Sequence, residues 1–180
     1  MNWYKTAKSQ SQTIQKIHEF LDSMNNIKWG WIDENNEKHT NTDEWLDTYH
    51  VMSPNEVRKY EIGTCIDQTI LEQEWFKKNL PNIQTKILWM QQFKDDDHMW
   101  LAFKYNDKWY RFEHSWADQR GIHGPYNTAK DTEKKVNKGS NFNTKIMNDF
   151  KYQSMSGTMG GTMGGQEFLE AMDYDFDKEA

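Results

Sequence analysis

Three side chains in this sequence could act together on one substrate atom: Cys65 in KYEIGTCIDQ (59–68), His98 in DDDHMW (95–100) and Glu113 in RFEHSW (111–116). A thiol becomes a nucleophile when it ionises, and a helix N-terminus or a neighbouring imidazole favours that form. The imidazole in turn needs an acid to fix its tautomer and support its positive charge. Cys65 is the only cysteine; it follows the loop EIGT and opens a stretch of helical periodicity. Local sequence therefore meets the first condition.

The second condition depends on a hairpin. HMWLAFKY and KWYRFEHSW alternate polar and apolar residues and are joined by Asn106-Asp107, a tight-turn signal. If Tyr105 pairs with Lys108, Trp100 faces Glu113 and His98 is the diagonal neighbour on the same sheet face. If the loop falls one residue earlier, His98 faces Glu113 directly. Both registers bring imidazole and carboxylate within reach, because diagonal neighbours on a sheet are about 7–8 Å apart. A loop one residue longer puts His114 on the His98 face instead. His114 and His123 are the runner-up bases, and Asp67 and Asp118 are candidate supporting acids. Trp100, Trp109 and Trp116 are candidates for the walls of a substrate cleft, with core packing as the competing use of each.

Other chemistries find less support. Zinc sites want Cys or His at short spacings such as CxxC or HExxH, and neither occurs. Asp95, Asp96 and Asp97 do not follow an EF-hand pattern. The Gly-Thr-Met-Gly-Gly repeat lacks the strand, helix and GK[ST] ending of a phosphate loop, and there is no GxSxG elbow. No metal or other cofactor is expected.

The elements that must hold these residues can be read from periodicity. Ile14, Ile17, Leu21 and Met24 recur at helical spacing and predict a helix over about 9–24, with His18 on its polar face. IKWGWID (27–33) reads as a short strand, DENNEKHTNTDE (33–44) as a polar loop and DEWLDTYHVM as a short helix. SPNEVRKY carries a capping box, with Ser53 as N-cap, Pro54 at the first position and Glu56 three residues on. From Cys65 to Leu80 the apolar positions fall on two sides, Ile66, Ile70 and Phe76 against Leu71 and Trp75. A helix apolar on two sides lies between packed layers, and Pro81 ends it. TKILWMQQF and the two hairpin strands complete an antiparallel meander. Helices first and a meander after them read as α+β. The stretch NTAKDTEKKVNKGSNFNTKIMNDF, with Lys134, Lys135 and Lys138, reads as a solvated loop or surface helix.

Composition bounds the rest. The 180 residues suffice for one domain, expected over 1–152 with its core at about 27–128. Residues 153–180 read as a tail: a flexible Gly/Met linker, SMSGTMGGTMGG (154–165), and the acidic, aromatic QEFLEAMDYDFDKEA (166–180), a candidate docking peptide for a protein partner. Nine Trp, nine Phe and eight Tyr with a mean hydropathy of -1.07 imply a small, aromatic-rich core. A net charge of -6 argues against nonspecific nucleic-acid binding. No apolar run is long enough to span a membrane, and MNWYKTAKSQSQ lacks the apolar run of a signal peptide. The expected location is cytoplasmic or virion-associated.

SPNEVRKYEIGTCIDQTILEQEWF followed by HMWLAFKYNDKWYRFEHSW resembles the transglutaminase-like superfamily of papain-like thiol enzymes. Gly63, Thr64 and Cys65 match its Gly-x-Cys block, His98 with Trp100 its histidine strand, and Trp109, Phe112 and Glu113 its acidic strand, where Glu stands in place of the usual Asp. QRGIHGPY (119–126) resembles a segment of bacterial and phage members. The resemblance covers roughly residues 50–128. It implies a central helix carrying the cysteine, packed on an antiparallel sheet, and a Cys65–His98–Glu113 triad that attacks amides of a protein or peptide substrate. Crosslinking, deamidation and hydrolysis all lie within that class. The alternative it leaves open is an inactive papain-like scaffold that binds partners for a phage or mobile element through the C-terminal tail.

Overall fold

A computed structural model describes residues 3–41, 45–92, 97–136, 142–150 and Glu167. The order of elements is α1 (Trp3–Ser23), β1 (Trp31–Ile32), β2 (Lys38–His39), α2 (Trp45–Thr48), α3 (Pro54–Tyr60), α4 (Cys65–Asn79), β3 (Thr85–Gln92), β4 (His98–Tyr105), β5 (Lys108–Glu113), β6 (Gly121–Tyr126) and β7 (Phe142–Met147). Short 3-10 turns run over Ala117–Gln119 and Lys130–Lys135. The larger sheet is antiparallel throughout, in the order β6-β5-β4-β3-β7, and β1 and β2 form a separate ribbon. The class is α+β.

Capping sets both helix starts near the cysteine. At α3, Ser53 Oγ accepts from the Glu56 amide while the Glu56 carboxylate accepts from the Ser53 amide at 2.8 Å. At α4, Thr64 and Asp67 repeat the device. Cys65 is thereby fixed as the first residue of α4. Leu80 closes that helix one residue before Pro81, whose missing N–H and ring would break it.

α4 lies between layers. Phe76 packs against Phe103 and Phe112 of the sheet, with ring centroids 5.2 and 6.0 Å away. Beside it, Trp75 stacks on Phe20 of α1 at 4.2 Å, and Phe20 also reaches Phe112 at 5.5 Å. Ile87, Trp89, Met99, Leu101, Phe103 and Phe112 join this main core. The alternate residues Leu88, Met90, Trp100, Ala102 and Trp109 point the other way. They form a second, smaller core under Ala129 and Val136, closed by a hydrogen bond from Trp100 Nε1 to Thr132 Oγ1 at 2.9 Å. A sheet buried on both faces needs apolar residues at successive positions, and β4 is buried from His98 to Phe103.

The hairpin takes the first of the two registers. Tyr105 pairs with Lys108 and Leu101 with Phe112, and Asn106 and Asp107 both have positive φ, 49° and 59°, as a two-residue type I′ turn requires.

Two expectations need correction. The polar loop 33–44 contains strand β2, which pairs with β1 through Trp31–His39 and Ile32–Lys38. The stretch 127–150 is not only loop or surface helix: β7 pairs with β3 from Ile87–Met147 to Gln92–Phe142. As an edge strand β7 needs little apolar content, since one side of its backbone has no ladder to complete and charged residues there discourage further pairing. Its Ile146 is an exposed apolar side chain. β6 is the opposite edge, and it tolerates Gly121, Gly124 and Pro125 for the same reason. Of the basic residues near its end, Lys134 is paired with Asp131 at 2.7 Å. Lys138 lies outside the described residues, as does the 151–180 tail apart from Glu167.

One glycine ties the small ribbon to the cysteine turn. Gly30 has φ +143°, and an added Cβ would overlap the carbonyl oxygen of His39 and approach Ile62 Cδ1 to 2.9 Å. Its amide donates to Gly63 O at 3.3 Å, and the Gly63 amide donates to Lys28 O at 3.0 Å. Gly30→Ala is expected to lower unfolding free energy by about 3 kcal/mol or more, through a forbidden φ and a backbone clash together. The denaturation midpoint in urea checks this, and a loss below about 1 kcal/mol would refute the strain argument.

Candidate active site

The site begins at the turn before α4. Thr64 Oγ1 accepts from the Asp67 amide at 3.4 Å, and Asp67 Oδ2 accepts from the Thr64 amide at 2.8 Å. Asp67 Oδ1 accepts from Tyr49 Oη at 2.9 Å and from the Met52 amide at 2.8 Å. Burial pushes the Asp67 carboxyl up to about 6, against the pull of these donors. Asp67 thus belongs to the support of the turn: it pins residues 49–52 behind Cys65. Gln68 supports the turn from another side. Its Nε2 donates to Gly63 O at 2.7 Å, and its Oε1 accepts from His114 Nδ1 at 2.6 Å.

His98 is the first residue of β4, so its ring stands at the end of the sheet where α4 starts. Its Nε2 lies 2.7 Å from Glu113 Oε2, and its side chain is hydrogen-bonded to that of Cys65. With Nε2 committed to the carboxylate, Nδ1 is the ring nitrogen left for the thiol. Glu113 Oε1 accepts from Ser115 Oγ at 3.2 Å and from the Trp116 amide at 3.1 Å. Two indoles fix the imidazole plane: Trp100 stacks on it at 5.9 Å and Trp116 meets it edge-on at 5.3 Å.

The electrostatics follow from this packing. Burial disfavours charge on His98, but Glu113 and the bond to Cys65 outweigh it and push the ring up to about 10. Burial would also raise Glu113; the imidazole, the Arg111 guanidinium and the Trp116 amide together hold its carboxyl below the usual value. A charged imidazolium–carboxylate pair is therefore the resting form at neutral pH. Cys65 itself is half-buried.

Cys65, His98 and Glu113 come together, with Trp100 and Trp116 against the histidine. Trp109 lies elsewhere. It pairs with Lys104, four residues before Glu113 along β5, and packs in the second core. His114 binds Gln68, and burial together with Arg120 pushes its imidazole down to about 4, so it is neutral at physiological pH and acts as a strut. His123 of β6 pairs with Arg111 of β5 and donates from Nε2 to Gln119 O at 2.5 Å. Asp118 is exposed on the 3-10 turn after Trp116.

Gln68, Glu72, Arg111 and Ser115 were missed as parts of this neighbourhood. The signal was present for the first two. A helix read as central leaves little room for solvent, so the polar residues of CIDQTILEQ had to be buried. Gln68 is 1% exposed and Glu72 2%.

Among the described residues no group of three or more His, Cys, Asp or Glu could hold a metal ion, and no helix is long and apolar enough to cross a membrane. No model of a known protein family matches the chain, and no curated protein matches it, so the site is read from its own chemistry.

Proposed function

We propose that the chain is a cysteine-dependent acyl-transfer enzyme acting on amides, with a papain-like, transglutaminase-like core. The observation that carries the reading is the placement of one imidazole between a buried carboxylate at 2.7 Å and the only thiol of the chain, at the first residue of a helix. Structural cysteines do not need an oriented, charged imidazole beside them.

In this reading the Cys65 thiolate attacks the carbonyl carbon of an amide, and the π-electron pair moves to oxygen. The backbone N–H of Cys65, at the positive end of α4, stabilises that oxyanion. The His98 imidazolium gives its proton to the leaving amine as the C–N bond breaks, and a thioester remains on Cys65. Water or an amine then attacks the thioester, its proton passing to His98, and the thiolate returns. Glu113 keeps the ring in one orientation and supports its charge throughout. Water as acceptor gives hydrolysis or deamidation, and a lysine amine gives crosslinking. Trp116 stands over the imidazole edge and would form one wall of the substrate cleft. The acidic peptide 166–180 remains a candidate for docking a protein partner.

The test is the pH dependence of Cys65 alkylation by iodoacetamide, followed by mass spectrometry of the enzyme incubated with glutamine-containing peptides. An activated thiol reacts nearly as fast at pH 6 as at pH 8, and amide donors leave an acyl adduct on Cys65. A rate that climbs tenfold per unit through this range, as an ordinary thiol with a pKa near 8.5 gives, would sink the catalytic reading in favour of a binding scaffold.

A further inference from the structure

Gln68 and His114 are each 1% exposed, and neither takes part in the reaction as written above. Together they form a directed chain of hydrogen bonds. A backbone carbonyl can only accept, so the Gln68 side chain meets Gly63 O with Nε2, at 2.7 Å. That leaves Oε1 facing His114 Nδ1 at 2.6 Å, and an amide oxygen also only accepts, so Nδ1 carries the proton. Burial, and after it the Arg120 guanidinium, push the His114 imidazole down to about 4. At neutral pH the ring therefore holds one proton, and the chain requires it on Nδ1.

The chain ends on the peptide that precedes Cys65. The Gly63 carbonyl accepts from Gln68 Nε2 and from the Gly30 amide at 3.3 Å, and the Thr64 amide of the same peptide donates to Asp67 Oδ2 at 2.8 Å. Both polar ends of that plane are held. A Cβ at Gly63 would approach Asp67 Cβ to 3.2 Å and Gln68 Cγ to 3.3 Å, so the turn rests directly on these two side chains. The next peptide along carries the Cys65 N–H. At the first residue of a helix that N–H has no intrahelical acceptor, so the turn before it sets where it points. The end of β5 thus serves both halves of the site: Glu113 bonds His98, and His114, the residue after it, bonds Gln68.

We propose that Gln68 and His114 are positioning residues for the oxyanion: His114 sets which way the Gln68 amide faces, Gln68 fixes the Gly63–Thr64 peptide, and that peptide aims the Cys65 N–H at the substrate carbonyl oxygen. The assignment rests on the acyl-transfer reading above. Without the Nδ1 donor, the Gln68 amide loses the contact that tells its two ends apart. A flipped amide would set Oε1 against Gly63 O, two acceptors face to face, and the turn would shift to separate them.

The experiment runs two reactions at Cys65, only one of which builds an oxyanion. Iodoacetamide is attacked at a saturated carbon: the C–S bond forms, iodide leaves, and no oxygen gains charge. With p-nitrophenyl acetate the thiolate adds to the carbonyl carbon, charge develops on its oxygen, and p-nitrophenolate leaves as the acetyl thioester forms. Both rates are measured at pH 7 for wild type, His114→Leu, His114→Asn and Gln68→Met. In His114→Leu and Gln68→Met, acetylation should fall by roughly ten- to a hundredfold, while alkylation stays within about twofold of wild type. His114→Asn offers an amide N–H near the place of Nδ1 and should recover most of the acetylation rate. Unchanged acetylation in His114→Leu and Gln68→Met would overturn the assignment. So would acetylation and alkylation falling together in both, whether through a lost fold or a lost thiolate, since that is what a merely structural role gives. An ordinary-thiol pH profile for alkylation of wild type would overturn the acyl-transfer reading, and the assignment with it.

Discussion

His98→Ala is expected to slow alkylation of Cys65 at pH 6 by roughly ten- to a hundredfold. In wild type the imidazole is charged at that pH and hydrogen-bonded to the Cys65 side chain. Without the ring, the thiol is left with the helix terminus alone. An ordinary thiol with a pKa near 8.5 is less than about 1% ionised at pH 6. The gain from ionisation is partly offset because a more acidic thiol gives a weaker nucleophile, which is why the expected factor stays below a thousand. Shape is the stricter criterion. The wild-type rate should be nearly flat from pH 6 to 8, and that of the variant should climb about tenfold per unit. Because Cys65 is the only cysteine, the modification rate of the whole chain reports on this one atom. Parallel profiles for the two proteins would mean that the imidazole does not activate the thiol.

Glu113→Ala is expected to cost about 3–5 kcal/mol of stability at pH 6, which for a domain of this size lowers the melting temperature by roughly 10 °C. The carboxylate is 1% exposed and takes three hydrogen bonds, so its removal strands a buried imidazole together with the Ser115 hydroxyl and the Trp116 amide. The deficit should depend on pH with a defined sign. His98 is pushed from 6.5 to about 10, so the stability it draws from the pair is complete below about pH 6.5 and disappears as pH rises through 10. Glu113 is held below 4.5, so its share is present above that value and disappears as pH falls through its lowered value. The gap between wild type and variant is therefore widest near pH 5–6.5 and narrows on both sides. Melting curves at pH 3, 6 and 10 check it, and a gap independent of pH would show that the loss is one of packing, with no contribution from charge. Glu113→Asp should not rescue the pair, since shortening the side chain by one methylene pulls the carboxyl out of a 2.7 Å contact.

Both results depend on a hairpin whose register the residue types narrow but do not fix. Asn106-Asp107 marks the turn, and two of the three candidate loops bring His98 and Glu113 together. Positive φ at both turn residues selects the loop in which Tyr105 meets Lys108. Backbone conformation at a tight turn depends on how the strands twist into it, which residue types suggest but do not dictate.

By itself the sequence determined what local physics controls. The Ser53–Glu56 box starts one helix, helical periodicity opens another at Cys65, Pro81 stops it, and two-sided apolarity makes α4 central. These follow from hydrogen-bond requirements at helix ends and from period alone. The sequence was silent where an element depends on neighbours far along the chain. β7 is polar and becomes a strand because β3 offers it a ladder more than fifty residues away. Its register is set by that partner, not by its own alternation. The same holds for the buried polar network. Gln68 reaches His114 across forty-six positions, and Glu72 is buried at 2% exposure with no hydrogen bond to its Oε2. Burial of a polar residue is a property of everything packed around it, so only the tertiary structure could decide which of these groups stand charged, neutral or bonded beside Cys65.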